Sequence, residues 1–209
     1  MLKGKSLFVT FEGIEGSGKT YQSKKLFRNL INKKIPVVLT REPGGSKSAE
    51  EIRKVILTGK KNKFSKNTDT LLYLAARNEH IIKKLKPMML KKKNIICDRY
   101  TDSTLAYQVY GKSVKKDFVN NIHKVILENI KPDFTFILTV NIKKAFKRIS
   151  QRKTKNRYDK FSLNFYNKVQ NAFIKIAKKN KKKYLLLNNT EDTDKVEKII
   201  FKKFIHLLN

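Results

Sequence analysis

The chain has 209 residues, 40% of them hydrophobic with 13 Phe and 8 Tyr, which suits one folding unit with a buried core and excludes disorder throughout. A single cysteine, Cys97, permits no internal disulfide, and His80, His123 and His206 are too scattered for a zinc-type cluster, so a reducing cytoplasm fits. The formal net charge of +32 rests on 41 Lys and only 8 Arg spread along the whole length beside 20 Ile and 18 Asn; a directed nucleic-acid surface recruits Arg, so this reads as solvated faces and no specific nucleic-acid partner is expected.

The first residues lead into an apolar stretch, Leu7 to Phe11, that Glu12 and Glu15 interrupt, which is no signal peptide. Lysines break every apolar run well short of the roughly 18 residues a membrane span needs, so a soluble protein without a membrane partner is expected. Short apolar runs then alternate with longer amphipathic ones, the pattern of a parallel sheet between helices. The runs predict strands at Ser6 to Phe11, Pro36 to Thr40, Asn94 to Asp98, Phe134 to Val140 and Tyr184 to Leu187. Helices are predicted at Lys19 to Asn32, Ser48 to Leu57, Thr70 to Leu85, Lys115 to Asn129, Ile142 to Gln151, Leu163 to Lys179 and Thr193 to Leu208. In the fourth helix Phe118, Ile122, Val125, Ile126 and Asn129 recur at helical spacing, and Pro87 and Pro132 stand where helices should end. Residues 151–160, QRKTKNRYDK, read as an exposed basic loop between two helices.

The strongest motif is Gly13-Ile14-Glu15-Gly16-Ser17-Gly18-Lys19-Thr20, which satisfies G-x-x-x-x-G-K-[ST] between a strand and a helix. Its backbone N–H groups can turn inward around phosphate oxygens at a helix N-terminus, with Lys19 reaching the β- and γ-phosphates and the Thr20 hydroxyl on Mg²⁺. Asp98 and Arg99 follow an apolar strand, where an acid can hold Mg²⁺ or its waters and a guanidinium can clamp a second phosphate. Thr40-Arg41-Glu42-Pro43-Gly44-Gly45 ends the second strand on the same side of the sheet. Tyr73 and Arg77 lie four apart on one helix face, fit either to stack on a base and bond its edge or to pack as an aromatic core contact with a capping arginine.

The segments FEGIEGSGKT, TREPGG, LLYLAARNEH and DRYTDSTLAYQ, in this order, resemble the thymidylate (dTMP) kinase family of the bacterial type from about Phe8 to Phe173. The resemblance implies a three-layer α/β P-loop fold, a five-stranded parallel sheet flanked by helices, with the whole chain as one kinase unit and a short basic lid at about 151–160. It implies ATP and Mg²⁺ as donor and cofactor, dTMP as acceptor, and a homodimer. Gly13, Glu15, Gly16, Ser17, Gly18, Lys19 and Thr20 would form the ATP cradle, and Thr20 and Asp98 the metal site. On the acceptor side, Glu15 resembles the acid that contacts the deoxyribose 3′-hydroxyl, and Arg99, with Arg41 as a second candidate, the arginine on the dTMP phosphate. Tyr73 stands where a stacking aromatic, usually Phe, is expected, and Arg77 where an arginine bonds the base edge. Thr104 and Gln108 match pocket-lining polar positions, and Tyr107 the ring that crowds out a ribose 2′-hydroxyl.

The variable P-loop positions carry no arginine, so the resemblance assigns the missing charge to the lid, with Arg152 first and then Lys153 and Arg157, while Arg148 could instead flank adenine. Lys19, Asp98, Arg99 and Arg152 are the candidate catalytic residues. The chain departs from the family pattern at Asn156-Arg157-Tyr158-Asp159, where Asp-Arg-x-Glu is usual, at Gln170 and Phe173, where Arg and Tyr are usual, and at Thr139, where an acid often ends the fourth strand. On the motifs alone, phosphorylation of another mononucleotide or a nucleoside remains open, as does a P-loop ATPase acting on nucleic acid; a GTPase is disfavoured because no Asn-Lys-x-Asp occurs.

Overall fold

Five apolar runs pair side by side in a computed structural model, in which residues 6–60, 62–152, 156–191 and 194–209 are described. They form strands β1 (Phe8–Glu12), β2 (Val37–Arg41), β3 (Asn94–Asp98), β4 (Phe134–Thr139) and β5 (Tyr184–Asn188), all parallel, in the order β2-β3-β1-β4-β5. β1 and β4 are apolar almost without alternation because helices cover both faces of the sheet. Phe11 is level with Asp98 on one side and Phe136 on the other, so the chain leaves β1 and β3 at the same height.

Nine α-helices surround the sheet among the described residues: α1 (Lys19–Asn32), α2 (Lys47–Leu57), α3 (Lys66–His80), α4 (Lys86–Leu90), α5 (Thr101–Thr104), α6 (Lys116–Ile126), α7 (Ile142–Ser150), α8 (Leu163–Lys179) and α9 (Asp194–Leu208). Leu26 and Leu30 of α1 and Ile200 and Phe204 of α9 pack on one face of the sheet with Phe11 and Phe136. On the other face, Ala145 and Ile149 of α7 and Val169 and Phe173 of α8 meet Ile137 of β4 and Tyr107. Among the described residues, no helix is long and apolar enough to cross a membrane.

Four expectations need correction. Pro87 does not end the third predicted helix. α3 begins at Lys66, where the Ser65 side chain caps Thr68 N–H, and runs through a π-helical turn, Ile81–Leu85, into α4. The widened turn sends Lys86 N–H back to the Ile81 carbonyl, so Pro87 opens the next helical segment, a position where its missing N–H is tolerated. α6 stops at Ile126, short of Asn129, because Glu128 and Asn129 take positive φ of 44° and 67°. It turns Val119 and His123 inward and leaves Val125 74% exposed, since the His123 ring is drawn in by a hydrogen bond to Arg77. Residues 101–111, unassigned from the sequence, form α5 and a second π-helical turn, Leu105–Gly111. Finally, 151–160 is not wholly an exposed loop: Arg157–Lys160 is a 3₁₀ turn with Arg157 and Tyr158 buried.

The rings of Phe11 and Phe136 lie 5.1 Å apart at the centre of the sheet. Truncation of Phe136 to Ala should cost about 3–5 kcal/mol, and a thermal melt should show Tm lowered by roughly 6–20 °C.

Candidate active site

The phosphate cradle forms where β1 gives way to α1. β1 lies between β3 and β4, the strands that continue the chain in opposite directions, so its carboxyl end opens the crevice where ligands bind in such sheets. Gly16 takes φ +74° and passes so close to α7 that a Cβ would lie 2.6 Å from the Ala145 carbonyl oxygen, which only glycine allows. Gly18 caps α1 in the left-handed region with no side-chain cap, leaving the first helical N–H groups for an anion. Two braces hold the loop from behind: Asn189 Nδ2 donates to Ser17 O at 2.8 Å and Arg148 Nη1 to Gly16 O at 2.9 Å. Arg148 also reaches the carbonyls of Asn189 and Thr190, so it ties the loop to the turn after β5.

Lys19 is buried, with Nζ donating to Ile14 O at 2.7 Å. Burial, and then the nearby Arg99, push its pKa down to about 7, so its ammonium depends on a neighbouring anion to stay charged. Thr20 Oγ1 donates to Asp98 Oδ2, while Asp98 Oδ1 is buried without a partner. An orphaned carboxylate oxygen beside a hydroxyl at the phosphate loop is an oxygen donor set that suits Mg²⁺. Among the described residues there is no cluster of three or more His, Cys, Asp or Glu of the kind that holds a metal by protein ligands alone.

The cradle residues Lys19 and Thr20 share one pocket with Glu15, Tyr73, Arg77, Arg99, Tyr107 and Gln108, so the structure brings these sequence candidates together. Arg99 has φ 75°, which turns its side chain back across the end of β1. Its Nη1 donates to Gly13 O at 2.9 Å and Ser103 Oγ at 3.0 Å, and its Nη2 to Glu15 Oε1 at 2.8 Å. Burial alone would raise the pKa of Glu15, but Arg99, Lys19 and a hydrogen bond from Tyr107 hold it below the usual value, so it is ionised.

Arg77 is buried and nearly saturated. Nε donates to Glu42 Oε2 at 2.7 Å, Nη1 to Thr104 Oγ1 at 2.7 Å and His123 Nε2 at 2.8 Å, and Nη2 to Tyr100 O at 2.9 Å. Four of its five N–H groups are thus committed, and one on Nη2 is left. Gln108 Nε2 nearby is buried without a partner. Glu42 also bonds His80 Nδ1 at 2.9 Å and precedes the cis peptide to Pro43.

The residues expected to form a lid divide. Arg152 lines the pocket and faces Asp159 at 3.5 Å. Arg157, expected to work beside it, is 2% exposed and spent on Asp69 and the Ile56 carbonyl, so it anchors the segment after Asn156 instead of reaching a phosphate. Lys153 lies outside the described residues. Arg41 lines the pocket but is half exposed and paired with Glu50 at 3.0 Å. Arg53, which lines the same pocket and donates to Pro43 O at 2.6 Å, lies in no motif, whereas Glu42, Ser103, Asn156 and Tyr158 lie in the quoted segments but carried no assigned role.

The departures from the family pattern find local explanations. Asn156 and Asp159 form a reciprocal capping box, Asp159 Oδ2 accepting from Asn156 N at 2.8 Å and the Asn156 side chain from Tyr158 N at 2.8 Å. Gln170 clamps both backbone groups of Val140 at 3.0 Å, Phe173 packs against Tyr107, and Thr139 Oγ1 donates to Leu187 O at 3.3 Å.

A phosphate loop at the point where a parallel sheet reverses its strand order, opening into a pocket of fixed arginines and aromatic rings, marks the protein as a P-loop phosphotransferase. The sequence model of the thymidylate kinase family matches residues 11–200. Thymidylate kinases of Wolbachia pipientis wMel and Mycoplasma capricolum are 44% identical over 82% of this chain and 85% of theirs, and 38% identical over 91% and 90%. A crystal structure of thymidylate kinase from Ehrlichia chaffeensis has a TM-score of 0.75 and 33% identity, covering 95% of this chain and 98% of that one. The chain belongs to the thymidylate kinase family.

Glu12, at the end of β1, is buried under the pocket, where Oε1 accepts from Tyr100 N at 2.7 Å and Oε2 from Ser103 Oγ at 2.6 Å. Burial, and then the charge of Asp102, push its pKa from 4.5 up to about 8. Between these values the unfolded chain holds fewer protons than the folded one, so this group lowers stability as pH rises from about 4.5 to about 8. Glu12→Gln removes that slope. Its Tm should match the wild type near pH 4.5 and exceed it increasingly up to pH 8.5 in thermal melts; a difference independent of pH would show Glu12 ionised in the folded protein.

Proposed function

We propose that the protein transfers the γ-phosphoryl of ATP to dTMP, giving dTDP and ADP, with Mg²⁺ held by Thr20 and Asp98. The observation that carries the reading is the acceptor pocket's donor inventory. Arg77 keeps one N–H and Gln108 an unpartnered amide N–H beside the Tyr73 ring. A base that stacks on Tyr73 and offers carbonyl oxygens satisfies both donors, as thymine does. Cytosine keeps one carbonyl but sets an amino donor where thymine's second carbonyl lies, leaving a buried N–H unpaired, a penalty that separates bases strongly. Arg99 takes the dTMP phosphate. As it does so, Glu15 is released from Nη2 towards the 3′-hydroxyl, and Tyr107, held by both, closes the space a 2′-hydroxyl would need.

The chemistry needs alignment and charge neutralisation more than covalent help. Gly13 to Thr20 cradle the donor phosphates and Lys19 approaches the transferred group. Mg²⁺, where bound, would offset charge on the β- and γ-oxygens. Arg152 reaches over from the lid, supplying the positive charge that the P-loop itself lacks, while Arg148 braces the loop. The whole chain acts as one kinase unit in the cytoplasm. A second copy is the proposed partner, and Leu90 and Val125, 84% and 74% exposed, are apolar surface that it could cover.

The test is ADP production from Mg-ATP with dTMP, dUMP, dCMP, dGMP, AMP, thymidine and single-stranded RNA as acceptors. Turnover with dTMP ahead of the rest is expected; turnover only with RNA or another mononucleotide overturns the base-pocket reading. Lys19→Ala should lower kcat by about 10²–10³-fold with a normal melting curve. Arg99→Ala should lower kcat/KM for dTMP by a similar factor, about 10²-fold or more, and an unchanged value would refute its phosphate role.

A further inference from the structure

One face of α3 carries three side chains at four-residue spacing: Asp69, Tyr73 and Arg77. The second and third line the acceptor pocket. Asp69, a turn earlier, lies behind it and has no part in the proposed chemistry, yet it is 1% exposed. Its Oδ1 pairs with Arg157 Nη2. Its Oδ2 accepts from Lys112 Nζ at 2.6 Å and from the Tyr158 hydroxyl at 2.7 Å. Lys112 Nζ also donates to the Tyr158 hydroxyl at 3.1 Å and sits 4.8 Å from its ring centre. A buried carboxylate with two cations and a phenol around it is compensated, so removing it leaves charge stranded and its neighbours free to move.

What the cluster fixes is Tyr158. That ring lines the acceptor pocket and meets Tyr73 edge to face at 5.9 Å and Tyr107 at 6.0 Å, so three tyrosines bound the space for the base. Tyr158 occupies the variable position of the Asp-Arg-x-Glu pattern, and the residues on either side bind it down: Arg157 to Asp69, and Asp159 through the capping box. Asp159 also faces Arg152, which lines the same pocket.

We propose that Asp69 is a positioning residue for the acceptor nucleotide. Acting through Arg157, Lys112 and Tyr158, it sets the wall of the base pocket and the root of the lid from the same helix that reads the base. This inference rests on the acceptor pocket described above, and it holds for whichever mononucleotide the wild type phosphorylates.

Steady-state kinetics on Asp69→Asn and Tyr158→Phe test it, with the acceptor taken as the best mononucleotide of the wild-type panel. Tyr158→Phe keeps the ring and removes only the hydroxyl that reaches Asp69, so it serves even where Asp69→Asn fails to fold. KM for the acceptor should rise about tenfold in Asp69→Asn and roughly three- to fivefold in Tyr158→Phe, with KM for ATP within about twofold of wild type. Asp69→Glu, which keeps the carboxylate, should recover part of the acceptor KM. A purely structural role would lower the active fraction, and so apparent kcat, while leaving both KM values in place. That pattern, or an unchanged acceptor KM in folded Tyr158→Phe, overturns the proposal. Failure of dTMP to be the preferred acceptor would count against the thymidylate reading alone.

Discussion

The alignment of β1 with β3 governs the site. With Phe11 opposite Asp98 and Arg99 N–H bonded to Phe11 O at 2.9 Å, the phosphate loop and the Asp98-Arg99 pair emerge side by side. A slip of one residue would send Asp98 to the other face of the sheet and separate it from Thr20. The register is secured by burial on both faces, and on the other flank by the hydroxyls of Thr10 and Thr135, 2.8 Å apart within the apolar sheet. The precision of the site is therefore inherited from the least polar part of the molecule.

Around that frame the pocket is built from buried charge, and each charge is answered. Glu42 is shared by Arg77 and His80, Glu15 by Arg99 and Tyr107, and Asp69 by Arg157 and Lys112. Such networks add little net stability over an apolar core of the same volume, but they hold long side chains in one geometry. His123 illustrates the economy of donors and acceptors. Burial, and then Arg77, push its pKa down to about 3, so it is a neutral ring that can accept from the guanidinium without adding charge to it.

The frame and the cradle were legible because they follow local rules. Alternation of apolar runs gave the five strands, and the glycine spacing before Lys19 gave the loop. The register that joins Asp98 to Thr20 follows from strands that are buried throughout. The errors fell where a tertiary contact overrode a local signal. Pro87 was absorbed by a π-helical turn, and α6 rotated to bring His123 to Arg77. Arg157 looked like one more basic residue in a polar segment, because its partner Asp69 lies 88 residues away and carries no motif. Arg53 was hidden for a similar reason: only the packing of α2 against the loop after β2 brings it to Pro43.

The cationic residues of this chain also sort themselves by chemistry. Of eight arginines, seven stand at or against the site: Arg41, Arg53, Arg77, Arg99 and Arg152 line it, Arg148 braces the phosphate loop and Arg157 is held on Asp69 behind it. Arg28, on the exposed side of α1, is the exception. Of the forty-one lysines, Lys19 lines the site and Lys112 stands behind it on Asp69, and the exposed faces elsewhere draw their positive charge from lysine. Solubility asks only for a hydrated charge, which an ammonium supplies, whereas Arg77 and Arg99 each serve three or four acceptors at once from a rigid planar fork, which an ammonium cannot. In a sequence otherwise saturated with lysine, the arginines trace the outline of the working surface.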